Sequence, residues 1–142
     1  MITSSNAIFD ESLKCMWDHR HPQHGDREPL DVFNRLLAKN IRPSGWTDNT
    51  HLNIQPQQIS SRREKWTTDA LAKLPRGHGF TAGPHFRCPI VIAEYEGKQR
   101  LIDGNHRINR WIEARDSSLH DVNIHRIVGI GEFVILPAIS GA

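Results

Sequence analysis

The sequence predicts a small mixed domain of the α/β (α+β) class with a helical extension at its N-terminus. Three observations support this fold class. A chain of 142 residues has the size of one compact domain. Its apolar residues recur at helical spacing in some segments and form short β-branched runs in others. A glycine turn at Gly104 separates a strand-like segment from a helix-like one.

Residues 1–50 are predicted to form the N-terminal extension, which is partly helical. The first 28 residues are mixed and polar, so we expect them to lack a core of their own. An amphipathic helix is predicted over 29–40 because four apolar residues recur at helical spacing. These residues are Leu30, Phe33, Leu36 and Leu37. Turn-forming residues fill 41–50, so the boundary of the extension lies at about residue 50.

Residues 51–142 are predicted to form the module that carries the function. A short strand is expected at His51 to Ile54. A second helix is predicted from Glu64 to Leu74, where Trp66, Ala70, Leu71 and Leu74 form an apolar face. Pro75 ends that helix. The glycine-rich segment 76–85 that follows is either a flap over a ligand or a plain surface loop.

A hairpin followed by a glycine turn and a helix is the clearest local pattern in the module. Residues 89–93 and 99–102 are rich in β-branched and apolar side chains and flank the turn at Glu96 and Gly97. After Gly104 the apolar spacing becomes helical and continues to about Arg115. Further strands are predicted over 122–128 and 133–136.

The overall composition restricts the function classes. Eighteen Lys and Arg residues against sixteen Asp and Glu give a net charge of +2, which does not by itself argue for a nucleic-acid partner. No segment approaches the roughly 20 apolar residues of a membrane helix, and the N-terminus lacks a signal-peptide pattern. We therefore expect a soluble protein with no membrane partner and no Sec-type export. The sequence does not predict the oligomeric state.

The cysteines and the clustered histidines have simple interpretations. Cys15 and Cys88 lie far apart without a CxxC spacing, so neither a zinc knuckle nor a disulfide scaffold is indicated. A reducing cytoplasm is then the default location. Three histidines near the N-terminus are compatible with a metal site, but no Cys or acidic ligand is spaced with them, and a loop is preferred. They are His19, His21 and His24.

The segment LIDGNHR at 101–107 predicts a phosphate-binding turn. A helix N-terminus attracts phosphate because its N–H groups and its dipole present positive charge. Gly104 stands where the backbone must be unhindered, and Arg107 brings a guanidinium fork that can grip two phosphate oxygens. Asn105 and His106 can donate further hydrogen bonds. Asp103 either holds the water shell of a magnesium ion or steers Arg107.

Each residue of this segment, taken singly, has a plainer explanation. Asp103 and Gly104 alone make an ordinary turn, His106 is a polar residue early in a helix, and Arg107 is a solvated charge. Their joint position between a hairpin and a helix favours the phosphate site.

This arrangement resembles the ParB/sulfiredoxin superfamily, whose members carry a D-G-x-H-R or G-x-H-R signature at this point. The resemblance covers about residues 51 to 128 and depends on Asp103, Gly104, His106 and Arg107 after the hairpin. It implies a small α/β domain whose signature turn binds the phosphates of ATP, ADP or CTP. The activities that it implies are nucleotide hydrolysis, phosphotransfer and nuclease activity.

This chain differs from the superfamily pattern at two points, and each difference argues against one of the superfamily's functions. Sulfiredoxin has a cysteine where this chain has Asn105, so a sulfinic acid phosphotransferase is not expected. Chromosome-partitioning members have a G-E-R-R turn and a following helix-turn-helix domain, so centromere clamping is not expected either. The chain is most similar to the free-standing members with D-G-H-H-R or D-G-Q-H-R turns and to the ParB-like nucleases.

The resemblance also draws attention to Arg62, Arg63 and Glu64, which lie where the superfamily places an arginine and sometimes an acid facing the nucleotide. Glu64 is then a candidate general base, although a solvated basic turn with Glu64 in the first turn of a helix explains the same residues. The candidate catalytic residues are Asp103, His106 and Glu64, with Asp103 also the candidate magnesium ligand. The candidate phosphate-binding residues are Gly104, Asn105, His106, Arg107, Arg62 and Arg63.

Three functions remain open at this point. The first is nucleotide binding with magnesium-dependent phosphoryl transfer or hydrolysis. The second is a non-catalytic module that senses a ligand or binds a protein partner. The third is a ParB-like nuclease acting on DNA or RNA, in which scattered arginines converge on a nucleic-acid backbone. The arginines considered for that convergence are Arg62, Arg63, Arg76, Arg87, Arg107 and Arg110.

Overall fold

The computed structural model describes residues 4–18, 27–41, 52–75, 88–95 and 97–128. Its helices and four-stranded mixed sheet place the domain in the α+β class, which confirms the predicted class. The helices are α1 (Ser4–Asp18), α2 (Pro29–Ile41), α3 (Thr68–Ala72) and α4 (Asn105–Glu113). The strands are β1 (Ile59–Thr67), β2 (Ile90–Tyr95), β3 (Lys98–Asp103) and β4 (Leu119–Ile127), and a 3-10 turn at Pro56–Gln58 precedes β1.

The sheet has the strand order β1-β4-β2-β3. The two central strands, β2 and β4, are parallel, whereas β1 pairs with β4 and β3 pairs with β2 in antiparallel fashion. The predicted hairpin is confirmed as β2 and β3, with Gly97 at φ 77° in the connecting turn. A register shift between Val91 and Ile92 bends the hairpin close to the end of β3.

The predicted helix from Glu64 to Leu74 is wrong over its first part. Residues 59–67 form β1, and the helix α3 is limited to Thr68–Ala72, where the Thr67 hydroxyl accepts a hydrogen bond from the Ala70 N–H at 3.1 Å. Pairing along nine residues of β4 overrides the local apolar spacing. The strand predicted at 51–54 does not form over residues 52–54.

Helices cover both faces of the sheet. α1 and α2 lie on one face, which we call the α1 face, and share one hydrophobic core with the strands. That core contains Phe9, Met16, Val32, Phe33, Leu37, Ile59, Val91, Ala93, Ile102 and Ile127. The predicted helix over 29–40 is confirmed as α2. Residues of the predicted extension therefore complete the core of the module instead of lying apart from it.

α3 and α4 lie on the opposite face, which we call the α4 face. Its core contains Leu71, Leu74, Ile90, Ile92, Leu101, Ile108, Val122 and Ile124. Trp66 and Trp111 pack at its margin. β4 is therefore buried on both sides along much of its length. This explains why 122–128 lacks a clean apolar alternation, since Asn123 and His125 point into the α1 face and are also buried.

A disulfide joins Cys15 of α1 to Cys88, two residues before β2. The sequence indicated no disulfide, because a separation of 73 residues carries no information about proximity. The Cα atoms lie 6.2 Å apart, within the range that a disulfide spans. The bond connects the helix of the α1 face to the chain segment that leads into the central sheet.

Several predictions lie outside the described residues. They concern the histidines at 19–24, the loop at 76–85 and the strand at 133–136. Within the described ranges, no helix combines the length and the apolar character that are needed to cross a bilayer.

Candidate functional site

The turn at Gly104 lies at the junction of β3 and α4. β3 ends at Asp103, Gly104 follows with φ 126° and ψ 9°, and α4 begins at Asn105. A Cβ atom at Gly104 would overlap Cδ1 of Ile90 and approach Nη2 of Arg107 to 3.3 Å. Both the backbone conformation and the close approach of β2 therefore require glycine here. The predicted order of strand, glycine turn and helix is confirmed.

The start of α4 presents the positive end of a nine-residue helix. The N–H of Ile108 donates to the Gly104 carbonyl at 3.0 Å, so helical hydrogen bonding begins at the glycine. The first turn of α4 carries no acidic residue, and Gly104 offers no side chain to cap it. Asn105 and His106 stand at this end and are partly exposed. The electrostatic setting suits an anion.

Asp103 and Arg107 form an ion pair one helical turn apart. Oδ2 of Asp103 lies 3.5 Å from Nη2 of Arg107, and the Asp103 side chain is 46% exposed. Of the two roles considered for Asp103, the structure displays the contact with Arg107. The exposed part of the carboxylate lies beside the helix start.

Arg107 is turned inward. It is 4% exposed and donates from Nη1 to the carbonyl oxygen of Cys88. Burial holds the pKa of its guanidinium below the usual range, and the nearby Asp103 carboxylate partly offsets that effect. In this orientation Arg107 holds the turn against the segment before β2 and does not face solvent. No local pattern in the sequence indicated this burial.

Glu64 lies on β1, in a network with Arg62. Nε of Arg62 donates to Glu64 at 2.7 Å and Nη2 donates to Glu94 at 2.9 Å, while Nε1 of Trp66 donates to Glu64 at 2.9 Å. Hydrogen bonds from Arg62, and then from Trp66, lower the pKa of Glu64. A general base works best with a pKa near the working pH, so this environment does not favour that role.

The sheet register separates Glu64 from the turn at Gly104. Glu64 pairs with Val122, Val122 pairs with Ile90, and Asp103 lies one strand further out, opposite Val91. Three steps of roughly 4.8 Å put Glu64 and Asp103 about 14 Å apart across the sheet. The structure therefore does not bring Glu64 or Arg62 to the turn.

Arg63 points to the other side of the sheet from Arg62, because side chains alternate along a strand. Its Nε donates to Oδ1 of Asn123 at 3.0 Å, and its guanidinium pairs with Glu11 of α1. Arg62, Arg63 and Arg107 thus lie in three different places and do not form a basic strip. Arg76 and Arg87 lie outside the described residues.

A buried polar cluster on the α1 face was not predicted from the sequence. Nδ1 of His125 shares a hydrogen bond with the Ser61 hydroxyl at 2.6 Å, and Nε2 shares one with the Ser12 hydroxyl at 2.8 Å. Asn123 donates to the same Ser12 hydroxyl at 3.0 Å. His125 is 0% exposed and Ser12 is 1% exposed, so these groups dock α1 and are closed to a substrate.

Burial lowers the pKa of His125 to about 4, which keeps the imidazole neutral near pH 7. A neutral ring can accept at one nitrogen and donate at the other, which matches two hydroxyl partners. The only sequence signal for this cluster was the run of polar residues at alternate positions of β4, which resembles a solvent-facing pattern.

A magnesium ion would find one candidate ligand at the turn. In the described parts of the chain, no group of three or more His, Cys, Asp or Glu side chains is arranged to hold a metal. Magnesium often binds through one or two carboxylates together with phosphate oxygens and water. The single carboxylate of Asp103 fits an ion that arrives with a phosphate ligand.

Comparisons with protein-family models, with curated proteins and with solved structures gave no match to this chain. The resemblance to the ParB/sulfiredoxin superfamily therefore remains a prediction. It depends on the signature residues and on the order of strand, turn and helix around Gly104.

Proposed function

We propose that the turn between β3 and α4 binds the phosphates of a nucleotide, ATP, ADP or CTP, together with magnesium. The observation that supports this most is Gly104. Its positive φ and its contact with Ile90 fix the backbone at the start of α4, where the helix dipole favours an anion. An anion at a helix N-terminus gains about 0.3–1 kcal/mol, and about 2 kcal/mol when partly buried.

The charge of Asp103 makes magnesium part of the proposal. An exposed carboxylate beside an anion site repels phosphate unless a cation lies between the two. Magnesium bridging Asp103 and the phosphate oxygens converts that repulsion into attraction. Nucleotide binding is therefore expected to depend on magnesium.

Phosphoryl transfer or hydrolysis is the reaction that such a site would support, because this chemistry depends on positioning and charge neutralisation. The proposal gives the proton-handling role to Asp103, directly before Gly104, or to His106, two residues after it. Glu64 is left out because it lies about 14 Å away across three strands, each about 4.8 Å from the next.

The test is a thermal-shift titration with ATP, ADP, CTP and GTP, each with and without magnesium. A nucleotide at one hundred times its Kd adds about 2.7 kcal/mol to the stability of the folded state, which raises Tm by several degrees. The expected result is a rise with at least one of ATP, ADP and CTP, and only when magnesium is present. No shift with any nucleotide at millimolar concentration contradicts the proposal.

A matched pair of variants locates the site. Asp103→Asn removes the charge at the turn and is expected to abolish the magnesium requirement. Asp121→Asn makes the same chemical change at an exposed carboxylate that pairs with Lys65 on β1, and is expected to leave binding unchanged. Equal effects of the two variants place the nucleotide elsewhere.

Turnover separates the catalytic function from a non-catalytic sensing module. Phosphate release above background that is lost in His106→Gln or Asp103→Asn supports catalysis, whereas binding without release supports the module. No observation on the described residues favours the nuclease, since Arg62 and Arg63 are engaged by acids on opposite faces of the sheet.

A further inference from the structure

We propose that the Cys15–Cys88 disulfide is a redox switch that keeps Arg107 away from the phosphate site, and that reduction releases Arg107 to bind phosphate. The structure gives the oxidised state, in which the guanidinium is sequestered beneath the turn. The ligand readout of this inference rests on the proposed function, whereas its structural readout does not.

Cys88 makes two connections at once. Its sulfur is bonded to Cys15 of α1, and its backbone carbonyl accepts the hydrogen bond from Nη1 of Arg107. Pro89 separates it from β2, which begins at Ile90, so the ladder of the sheet does not hold its carbonyl. The disulfide is therefore the covalent element that fixes the acceptor of Arg107.

α1 is an anchor that does not depend on the disulfide. Ser12 hydrogen-bonds with His125 at 2.8 Å and with Asn123 at 3.0 Å, and Phe9 is buried against the sheet. When the S–S bond is broken, α1 stays docked and the freedom is gained by Cys88. The change is local to the segment before β2 and to the side chain that it holds.

The competition for Arg107 then favours phosphate. In the oxidised state the guanidinium has a neutral carbonyl and one carboxylate as partners in a buried setting. A phosphate is negatively charged and can take two parallel hydrogen bonds from the planar guanidinium, whereas the neutral carbonyl of Cys88 takes one from Nη1. Once Cys88 can move, the guanidinium can leave the carbonyl and reach a phosphate at the start of α4, in whose first turn Arg107 lies.

A dithiol reductant supplies the two electrons that reduction of the Cys15–Cys88 disulfide requires. One thiolate of the reductant attacks a sulfur of the Cys15–Cys88 pair, and the S–S bond breaks. The second thiolate of the reductant then attacks the reductant's own sulfur in the mixed disulfide and expels the remaining cysteine thiolate, so the reductant leaves as a cyclic disulfide. Two electrons pass to the protein, and two protons complete the thiols of Cys15 and Cys88. Both cysteines are partly exposed, which gives the reductant access.

The structural test uses phenylglyoxal, which modifies accessible guanidinium groups, followed by peptide mass spectrometry. In the oxidised protein Arg107 is expected to react slowly, and dithiothreitol treatment is expected to raise its labelling. Arg110 is exposed on the same helix and serves as the internal standard, with labelling that does not change. Equal labelling of Arg107 in the two redox states overturns the proposal.

A variant that cannot form the bond controls for effects of the reductant. Cys15→Ser/Cys88→Ser is expected to show high labelling of Arg107 with and without dithiothreitol. Far-ultraviolet circular dichroism confirms that it is folded at the labelling temperature. If the variant unfolds, the wild-type comparison of oxidised and reduced protein decides the question by itself.

The ligand test measures Kd for magnesium ATP, ADP and CTP in both redox states. Reduction is expected to lower Kd by about fivefold or more, the lower range of coupling between two sites. A labelling change without nucleotide binding in either state rejects the proposed function and keeps the switch. Equal Kd and equal labelling in both states reject the switch and keep the proposed function.

Discussion

The two faces of the sheet are covered in different ways. On the α1 face, polar groups are buried with their partners, and Ser12, Asn123 and His125 hydrogen-bond at the contact between helix and strand. On the α4 face the centre is apolar, and polar pairs lie at its margins. They include Thr68 with His120 and Asp103 with Arg107.

This difference shows how the domain divides its tasks. Buried hydrogen bonds allow only one docking position for α1, because a shifted helix would leave a buried polar group without a hydrogen-bond partner. The α1 face is thus specified in position, whereas the α4 face contributes apolar stability and leaves Asp103, on its margin, partly exposed. The candidate site lies on that margin, at the start of α4.

Loss of the Cys15–Cys88 disulfide is expected to have the largest effect on the free energy of unfolding. Cys15→Ser/Cys88→Ser opens a link across 73 residues, and loop-closure entropy predicts a loss of about 4 kcal/mol in the free energy of unfolding. Urea denaturation of the oxidised wild type and the variant measures it. Dithiothreitol should destabilise the wild type and leave the variant unchanged. A loss below about 1 kcal/mol contradicts the prediction.

The apolar packing of the α4 face is tested with Ile108→Ala. Ile108 is fully buried between α4 and the sheet, so its truncation leaves a cavity and is expected to cost about 3 kcal/mol. Ile112→Ala on the same helix removes the same atoms from an exposed position and is expected to cost less than about 0.5 kcal/mol. Similar losses in both variants would show that α4 does not pack as described.

The buried polar cluster of the α1 face is tested by changing the pH. The pKa of His125 is about 4 when folded against 6.5 for an unperturbed histidine, so the unfolded chain binds a proton more readily. Stability from the neutral ring is complete above pH 6.5 and is lost as the pH falls towards 4. At pH 5 the loss is about 2 kcal/mol.

The measurement is denaturant unfolding at pH 7 and pH 5, with His125→Asn as the reference that lacks a titrating group. The wild type is expected to lose more stability than the variant over this interval. Parallel losses in the two proteins would mean that folding does not lower the pKa of His125.

The smallest expected effect concerns α3, at the margin of the α4 face. The Thr67 hydroxyl caps this helix by accepting the Ala70 N–H, so Thr67→Ala is expected to cost about 1 kcal/mol. Thr67→Ser keeps the hydroxyl and is the matched control, with most of the stability retained. If thermal unfolding ranks the serine variant with the alanine variant, the cap contributes nothing.

Local signals in the sequence were enough to predict the elements that form within short stretches. The hairpin of β2 and β3, the turn at Gly104, and the helices α2 and α4 depend on neighbours a few residues away, and all four were predicted. β1 was missed because its partner β4 lies about 60 residues further along the chain, and this pairing determines its conformation.

The candidate site was predicted only in part, because some of its contacts join residues that are distant in sequence. The position of Asp103, Gly104 and the start of α4 follows from local sequence. The inward orientation of Arg107 depends on Cys88, which is brought near by the sheet and by a distant cysteine, and no local pattern encodes that contact. Arg62, Arg63 and Glu64 were grouped by adjacency in sequence, but a strand sends alternate side chains to opposite faces.

The connection between α1 and β4 has a consequence for the order of folding during synthesis. His125 and Ser12 are 113 residues apart, and β4 occupies a central position in the sheet although it is the last described strand. The ribosome therefore synthesises α1 and β1 well before β4, against which both must pack. Contacts between such distant residues slow folding. We expect the β2–β3 hairpin to assemble first and the nascent chain to need protection from aggregation until β4 emerges.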